Sequence, residues 1–100
     1  MEGEFRLAYH ANARQSQKAA TISLLKAGWT KEKVKSLVKS IEDRLKDNPQ
    51  DFGEPLYTIP GTKVRVSMGV VKPLSVEIGI HLEARVVLIR RMTLMTIKDD

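Results

Sequence analysis

The chain of 100 residues contains no cysteine. Without a thiol it can form no disulfide, no thiolate zinc site, no iron–sulfur cluster and no covalent intermediate on sulfur. Its apolar runs, such as residues 86–89, are far shorter than the roughly 18 residues that a membrane-spanning helix needs. The first residues alternate in charge and show no apolar segment typical of a signal peptide. We therefore expect a soluble cytoplasmic protein without a membrane partner.

The common motifs for metal and nucleotide binding are missing as well. The sequence has no HExxH, EF-hand loop, P-loop or GxGxxG, and it lacks the GxSxG motif of serine hydrolases. The two histidines, His10 and His81, have no metal-ligand spacing, so we expect no metal and no cofactor. Aromatic residues make up only 5% of the chain, and this scarcity disfavours RNA recognition by base stacking.

Basic residues outnumber acidic ones, seventeen to twelve, which gives a formal net charge of +5. The excess lies in the first half, where residues 1–50 contain ten basic and six acidic side chains. Most of these cations are lysines on predicted helices. Such a lysine-rich face indicates either simple solvation or attraction to a phosphate backbone or an acidic protein.

The length corresponds to one domain, residues 1–100. Alternation over residues 5–9 predicts a short strand at a sheet edge. Asn12 is the predicted N-cap of a first helix that ends at Gly28, and Thr30 is the predicted N-cap of a second helix that ends before Pro49. The second helix carries a clear apolar stripe, which consists of Val34, Leu37, Val38, Ile41 and Leu45.

The second half of the chain changes to a period of two, which predicts strands over residues 64–70, 74–82 and 85–94. Pairing Val70 with Leu74 across a three-residue loop puts the apolar residues of the first two strands on one face. The last strand is apolar in both phases and is expected inside the sheet. Its register stays open by one residue: either Arg91 lies near Ser75, or Arg90 lies across from Glu77.

This pairing predicts a polar sheet face opposite the helices. Arginines at strand spacing can bind a phosphodiester and stabilise charge in a phosphoryl-transfer transition state, while His81 or Glu77 could carry protons. The plainer interpretations are that His81 flanks a turn and that the arginines form ion pairs with Glu77 or Glu54. The predicted face gathers Lys63, Arg65, Glu77, His81 and one or two of Arg85, Arg90 and Arg91.

Several segments carry a family resemblance: LKDNP at residues 45–49, FGEPL at 52–56, KVRV at 63–66, and the two closing strands at 75–83 and 85–89. They resemble the RelE/ParE toxin superfamily of bacterial toxin–antitoxin and plasmid-stabilisation modules. The resemblance implies an α+β fold: a short N-terminal strand and an antiparallel helical hairpin packed on one face of a three- to four-stranded antiparallel sheet.

The resemblance also implies a function. RelE-like members are similar to small, metal-independent endoribonucleases that cleave mRNA in the ribosome, whereas ParE-like members bind DNA gyrase without nuclease activity. By position, Lys63 and Arg65 match the family's basic strand, and Arg90 or Arg91 matches the arginine of its last strand. The chain departs from the ribonuclease pattern after Arg91, where neither Tyr nor His follows.

Three hypotheses follow. The first is a toxin-like ribonuclease in which Arg65 and Arg91 stabilise the phosphate, His81 or Glu77 moves protons, and Lys63, Arg85 and Arg90 bind RNA. The second is a non-catalytic module that binds an antitoxin, gyrase or another acidic partner through its lysine-rich helices and the apolar tail at residues 92–97. The third is a stand-alone domain that keeps the fold and has lost the activity.

Overall fold

The structure is a computed structural model and describes residues 4–95. Two α-helices lie on one face of a five-stranded sheet whose strand order is β1-β5-β4-β3-β2. The elements in chain order are β1 Arg6–Tyr9, α1 Ala11–Lys26, α2 Lys31–Asp47, a 3₁₀ turn at Pro49–Asp51, β2 Glu54–Thr58, β3 Val64–Val71, β4 Leu74–His81 and β5 Val86–Leu94.

Both helices begin at side-chain caps, one of which differs from the prediction. The Thr30 hydroxyl accepts the Lys33 N–H at 3.1 Å, as expected for the N-cap of α2. The predicted cap at Asn12 is wrong, because α1 begins earlier and its N-cap is His10. Nδ1 of His10 accepts the Asn12 backbone N–H at 3.1 Å, so an imidazole takes the place of the usual Ser, Thr, Asp or Asn.

The predicted apolar stripe of α2 is confirmed. Val34, Ile41 and Leu45 are buried, while Leu37 and Val38 are half-buried. Ile41 and Leu45 join one cluster with Ala13 and Ala20 of α1 and with the sheet residues Ile78, Ile80, Val87 and Ile89. The sheet side that carries this cluster is called the helix face, and the opposite side is called the open face.

Within residues 4–95 the sheet is mixed rather than antiparallel, and it has five strands rather than three or four. β1 is an edge strand, as expected, but it runs parallel to β5, with Leu7 opposite Val87 and Tyr9 opposite Ile89. Parallel pairing requires a long crossover, which the two helices supply between β1 and the rest of the sheet. β5 consequently lies between β1 and β4, as its doubly apolar centre predicts.

The predicted register of β3 and β4 is wrong by one residue. Val71, not Val70, lies opposite Leu74, so the strands are joined by two residues instead of three. The shift turns Arg65, Ser67 and Gly69 toward the helix face. Ser67 fits on this face because its side chain is small, and it is only 2% exposed. Gly69 fits because it has no side chain, which leaves room for the buried ring of Phe52 where a Cβ would otherwise lie.

A β-bulge interrupts β5 next to β4. Ile89 lies opposite Ile78 and Arg91 lies opposite Glu77, which leaves Arg90 as the extra residue. Met92, on the far side of the bulge, is fully buried in the core. The predicted apolar interface at residues 92–97 is therefore wrong at Met92, and residues 96 and 97 lie outside the described part of the chain.

Hydrogen bonds tie each helix to the strand beneath it. The Ser16 hydroxyl of α1 accepts the Met92 N–H of β5 at 3.0 Å. The Tyr9 hydroxyl of β1 donates to the Glu42 carboxylate of α2 at 2.6 Å. These contacts hold the helical layer in a fixed position over the sheet and leave the open face uncovered by helix.

Candidate functional site

The charged groups of the open face meet in a cleft between the start of α1 and the bulge of β5. The cleft has a volume of about 280 Å³. Its walls come from four parts of the chain that are distant in sequence, and they consist of His10, Asn12, Ile59, Glu77, Leu88, Arg90 and Arg91. We call this space the bulge cleft.

The bulge is what places two arginines in this cleft. Residues in regular β-structure alternate between faces, so only one of two consecutive arginines would face Glu77. With the extra residue, both Arg90 and Arg91 line the cleft while Ile89 and Met92 stay in the core. Neither register that the sequence left open for the last strand holds throughout. The pairing that would put Arg90 across from Glu77 is found only from Ile78 to His81; beyond the bulge, Arg91 lies opposite Glu77 and Thr93 lies opposite Ser75. Arg90 instead contacts Glu77 through its side chain.

The charges of the cleft are only partly balanced. Arg90 Nε lies 3.2 Å from Glu77 Oε2, and the two side chains are 30% and 20% exposed. Arg91 is exposed, and within residues 4–95 no acidic side chain forms an ion pair with it. One carboxylate against two guanidinium groups leaves a local positive charge, which suits an anion such as a phosphate group.

The two histidines make the same kind of backbone contact at different places. Nδ1 of His10 accepts the Asn12 N–H, and Nδ1 of His81 accepts the Ala84 N–H at 3.1 Å. His81 thus flanks the β4–β5 turn, in agreement with the plainer of its two interpretations. It lines a second, apolar cavity of about 340 Å³ together with Val64, Gly79, Ala84, Val86 and Leu88.

The remaining predicted site residues do not reach the bulge cleft. Lys63 forms an exposed ion pair with Glu83 at 2.7 Å. Arg85 lies in the β4–β5 turn with a positive φ of 53° and its guanidinium 4.4 Å from the centre of the Phe5 ring. The prediction that Arg65 shares the open face is wrong, since the corrected register turns it to the helix face opposite Ile80.

Arg65 has an unusual environment on that face. Its Nε is buried and forms no hydrogen bond within the part of the chain that the structure describes. The predicted set thus separates into Glu77, Arg90 and Arg91 in the bulge cleft, His81 in the neighbouring cavity, Lys63 and Arg85 near the turn, and Arg65 behind the sheet.

His10 is the cleft residue that sequence reasoning missed. The alternation of residues 5–9 does place His10 on the side opposite Leu7 and Tyr9. What it does not indicate is the parallel pairing of β1 with β5, which brings the end of β1 beside Arg90 and Arg91. Because that pairing joins strands that are distant in sequence, no local pattern places His10 in the cleft.

Two other features are absent from residues 4–95. No three His, Asp or Glu side chains in this range come together in a way that could hold a metal ion. Neither helix of the described chain combines the length and the apolar character needed to span a membrane.

Comparison with known proteins gives a match in structure only. No family model and no curated protein matches the sequence. The fold is similar to that of a chain in the crystal structure of the RelBE2 toxin–antitoxin complex from Mycobacterium tuberculosis. The two chains superpose with a TM-score of 0.60 at 14% sequence identity, over 94% of each chain. The similarity shows the fold alone: the chain has a fold like that of a protein from a toxin–antitoxin complex, as the resemblance of its short sequence segments implied.

Proposed function

We propose that this protein is the toxin component of a bacterial toxin–antitoxin module and that it acts on RNA through the bulge cleft. One observation carries the proposal: a fold similar to that of a toxin–antitoxin protein presents two arginines and a carboxylate together on its open face. Guanidinium groups bind phosphodiesters in a bidentate manner and stabilise the charge that develops during phosphoryl transfer.

The residues of the cleft support cleavage by the RNA's own 2′-hydroxyl. In this step Glu77 accepts the proton of the 2′-hydroxyl as its oxygen attacks the neighbouring phosphorus. The bond from phosphorus to the 5′-oxygen breaks, the leaving oxygen takes a proton from solvent, and a 2′,3′-cyclic phosphate remains. Arg91 stabilises the charged phosphorane, while Arg90 holds Glu77 in place through their 3.2 Å ion pair.

The reaction can be tested by induced expression in a bacterial host. We expect growth arrest, and primer extension on a translated message should show new 5′ ends. Glu77→Gln and Arg91→Ala should each reduce the cleavage rate about 10²- to 10⁴-fold, the range typical of a lost proton-transfer or charge-stabilising group. Lys63→Ala is the matched control, because it removes a cation whose contacts lie outside the cleft.

A second candidate is the non-catalytic interaction module, bound by an antitoxin or directed against gyrase. It is favoured by apolar side chains on the edge strand β2 and its neighbour β3, where Leu56, Tyr57 and Val70 are 52%, 51% and 49% exposed. Exposed apolar patches of this kind mark protein–protein contacts. Growth arrest with no new 5′ ends would support this candidate and refute the ribonuclease, whereas arrest with cleavage would do the reverse.

The antitoxin partner has a test of its own. An antitoxin that binds this basic chain should be acidic, because the net charge of +5 attracts an acidic protein. We expect a small acidic protein encoded next to this chain, and its co-expression should abolish the growth arrest. If growth arrest continued although the neighbouring acidic protein was co-expressed in soluble form, the proposal that the two proteins form a toxin–antitoxin module would be contradicted.

A further inference from the structure

We propose that His10 is a phosphate-binding residue of the bulge cleft and that it acts as a neutral hydrogen-bond donor rather than as a proton carrier. The inference rests on the proposed function, since it names a residue of that same site. It assigns to the site a side chain that neither the sequence motifs nor the family resemblance indicates.

The tautomer of His10 follows from its backbone contact. Nδ1 accepts the Asn12 N–H, so its lone pair is occupied and the proton of the neutral ring is on Nε2. To act as a base at Nε2, the ring would need its proton on Nδ1, where it would face the Asn12 N–H. To act as an acid, it would need both nitrogens protonated, with the same conflict. The ring is thus arranged to donate from Nε2.

The surroundings of His10 determine what it donates to. The charged groups that share the cleft with it are Glu77 from β4 and Arg90 and Arg91 from β5, while Asn12, Ile59 and Leu88 supply neutral walls. Glu77 is already bound by Arg90, which leaves Arg91 and the imidazole to meet an added ligand. An N–H donor beside an exposed guanidinium matches an acceptor with several oxygens and a negative charge, as a phosphate has.

The size of the cleft suits a phosphate group together with its ribose. Its volume of about 280 Å³ lies near the lower limit of small-ligand sites, roughly 300 Å³. We therefore expect one phosphate of an RNA chain to occupy it together with the adjoining ribose, whose 2′-hydroxyl meets Glu77.

His81 offers an internal comparison. It has the same Nδ1 contact to the backbone, but it lies in the apolar cavity, where the other lining residues are Val64, Gly79, Ala84, Val86 and Leu88. With no cation beside it in that cavity, the same tautomer has no anion to bind. The two histidines thus share the Nδ1 contact and differ in the groups that line their cavities.

The test separates the capping role of His10 from its donor role. Asparagine is a good N-cap, so His10→Asn keeps an acceptor for the Asn12 N–H and removes the donor at Nε2. We expect His10→Asn to unfold at the same temperature as the parent protein but to bind inorganic phosphate about tenfold more weakly, the loss expected for a hydrogen bond to a charged group. His81→Asn should bind phosphate as the parent does.

Nuclear magnetic resonance gives the readout. The ¹⁵N shifts of the rings should report the Nε2–H tautomer for both histidines, and phosphate should move the signals of His10 and leave those of His81 in place. Equal phosphate affinity in His10→Asn and the parent, or an equal loss in His81→Asn, would overturn the assignment.

These outcomes are independent of the cleavage assay. Phosphate binding that depends on His10 in a chain that neither arrests growth nor cuts RNA would refute the proposed function and leave the assignment standing. RNA cleavage by the parent protein, with unchanged phosphate binding in His10→Asn, would support the proposed function and refute the assignment of His10.

Discussion

Tyr9 shows how a single residue connects the sheet to the helical layer. Its hydroxyl donates to Glu42 at 2.6 Å, and the Arg14 guanidinium lies 3.8 Å from the centre of its ring. Burial raises the pKa of Tyr9 above its ordinary value of 10.0, and the hydrogen bond to the Glu42 carboxylate raises the pKa further. The phenol therefore holds its proton more tightly in the folded chain than in the unfolded chain.

This difference predicts a loss of stability at alkaline pH. Below about pH 10 the phenol is protonated in both states, whereas above it only the unfolded chain releases the proton, so the free energy of unfolding falls as pH rises. Tyr9→Phe should be less stable than the parent by about 1 kcal/mol at pH 7, because it lacks the hydrogen bond. In urea unfolding at pH 7 and pH 11, the gap should narrow at the higher pH; a constant gap would contradict the raised pKa of Tyr9.

At the level of secondary-structure elements, the bulge in β5 lets two requirements coexist. Val87, Ile89 and Met92 must face the helices, and both Arg90 and Arg91 must face Glu77. A strand without the extra residue could carry only one arginine between Ile89 and Met92. In the sequence, the bulge is indicated by a spacing of three residues between these two core positions, where regular alternation would give two.

Deletion of Arg90 should accordingly be tolerated by the fold. Without it, Ile89, Arg91 and Met92 alternate regularly, and the cost is limited to the partly exposed ion pair with Glu77, about 1 kcal/mol or less. Deletion of Leu88 is the matched control, since it shortens the same strand but turns Ile89 out of the core, which costs about 2–5 kcal/mol. Thermal unfolding of both variants checks this; equal destabilisation would show that the bulge is needed for folding itself.

Elements differ in how far the sequence predicts them. The stripe of α2 and its Thr30 cap are predictable because their signals are local: spacing along one helix and one hydrogen bond three residues away. The partner and direction of β1 are not, because they depend on how a crossover of two helices returns the chain to β5. The β3–β4 register escapes prediction because alternation suits either loop length when the displaced residues, Ser67 and Gly69, are small.

The same difference between local and non-local signals decides which residues of the candidate site can be predicted. Glu77, Arg90 and Arg91 are predictable as neighbours, since β4 and β5 are adjacent in sequence and in the sheet. Arg65 is misplaced by the register error, and His10 is missed because its neighbourhood is set by the non-local β1–β5 pair. Pairing between strands distant in sequence therefore decides the composition of the site.

For the molecule as a whole, the positive charge has two separate locations. Lysines such as Lys31 and Lys35 lie exposed on α2, on the far side of the helical layer from the open face. Arg90 and Arg91 lie in the bulge cleft, where Glu77 offsets part of their charge. General electrostatic attraction would make all four cations equivalent toward RNA, whereas a defined site makes only the arginines matter.

Two double variants with the same net charge distinguish these cases. Arg90→Gln with Arg91→Gln, and Lys31→Gln with Lys35→Gln, each remove two of the five net positive charges. We expect the arginine pair to bind a 2′-O-methyl RNA, which lacks the attacking hydroxyl, at least tenfold more weakly. The affinity of the arginine variant for RNA should also depend less steeply on salt concentration. The number of counterions released on binding should fall by about one for each phosphate-binding arginine that is replaced. The lysine pair should change the affinity less than about twofold, because exposed charges far from the bound phosphate are screened by salt. Equal losses of affinity in the two variants, measured by fluorescence anisotropy at several salt concentrations, would mean that RNA is held by net charge and not by the cleft.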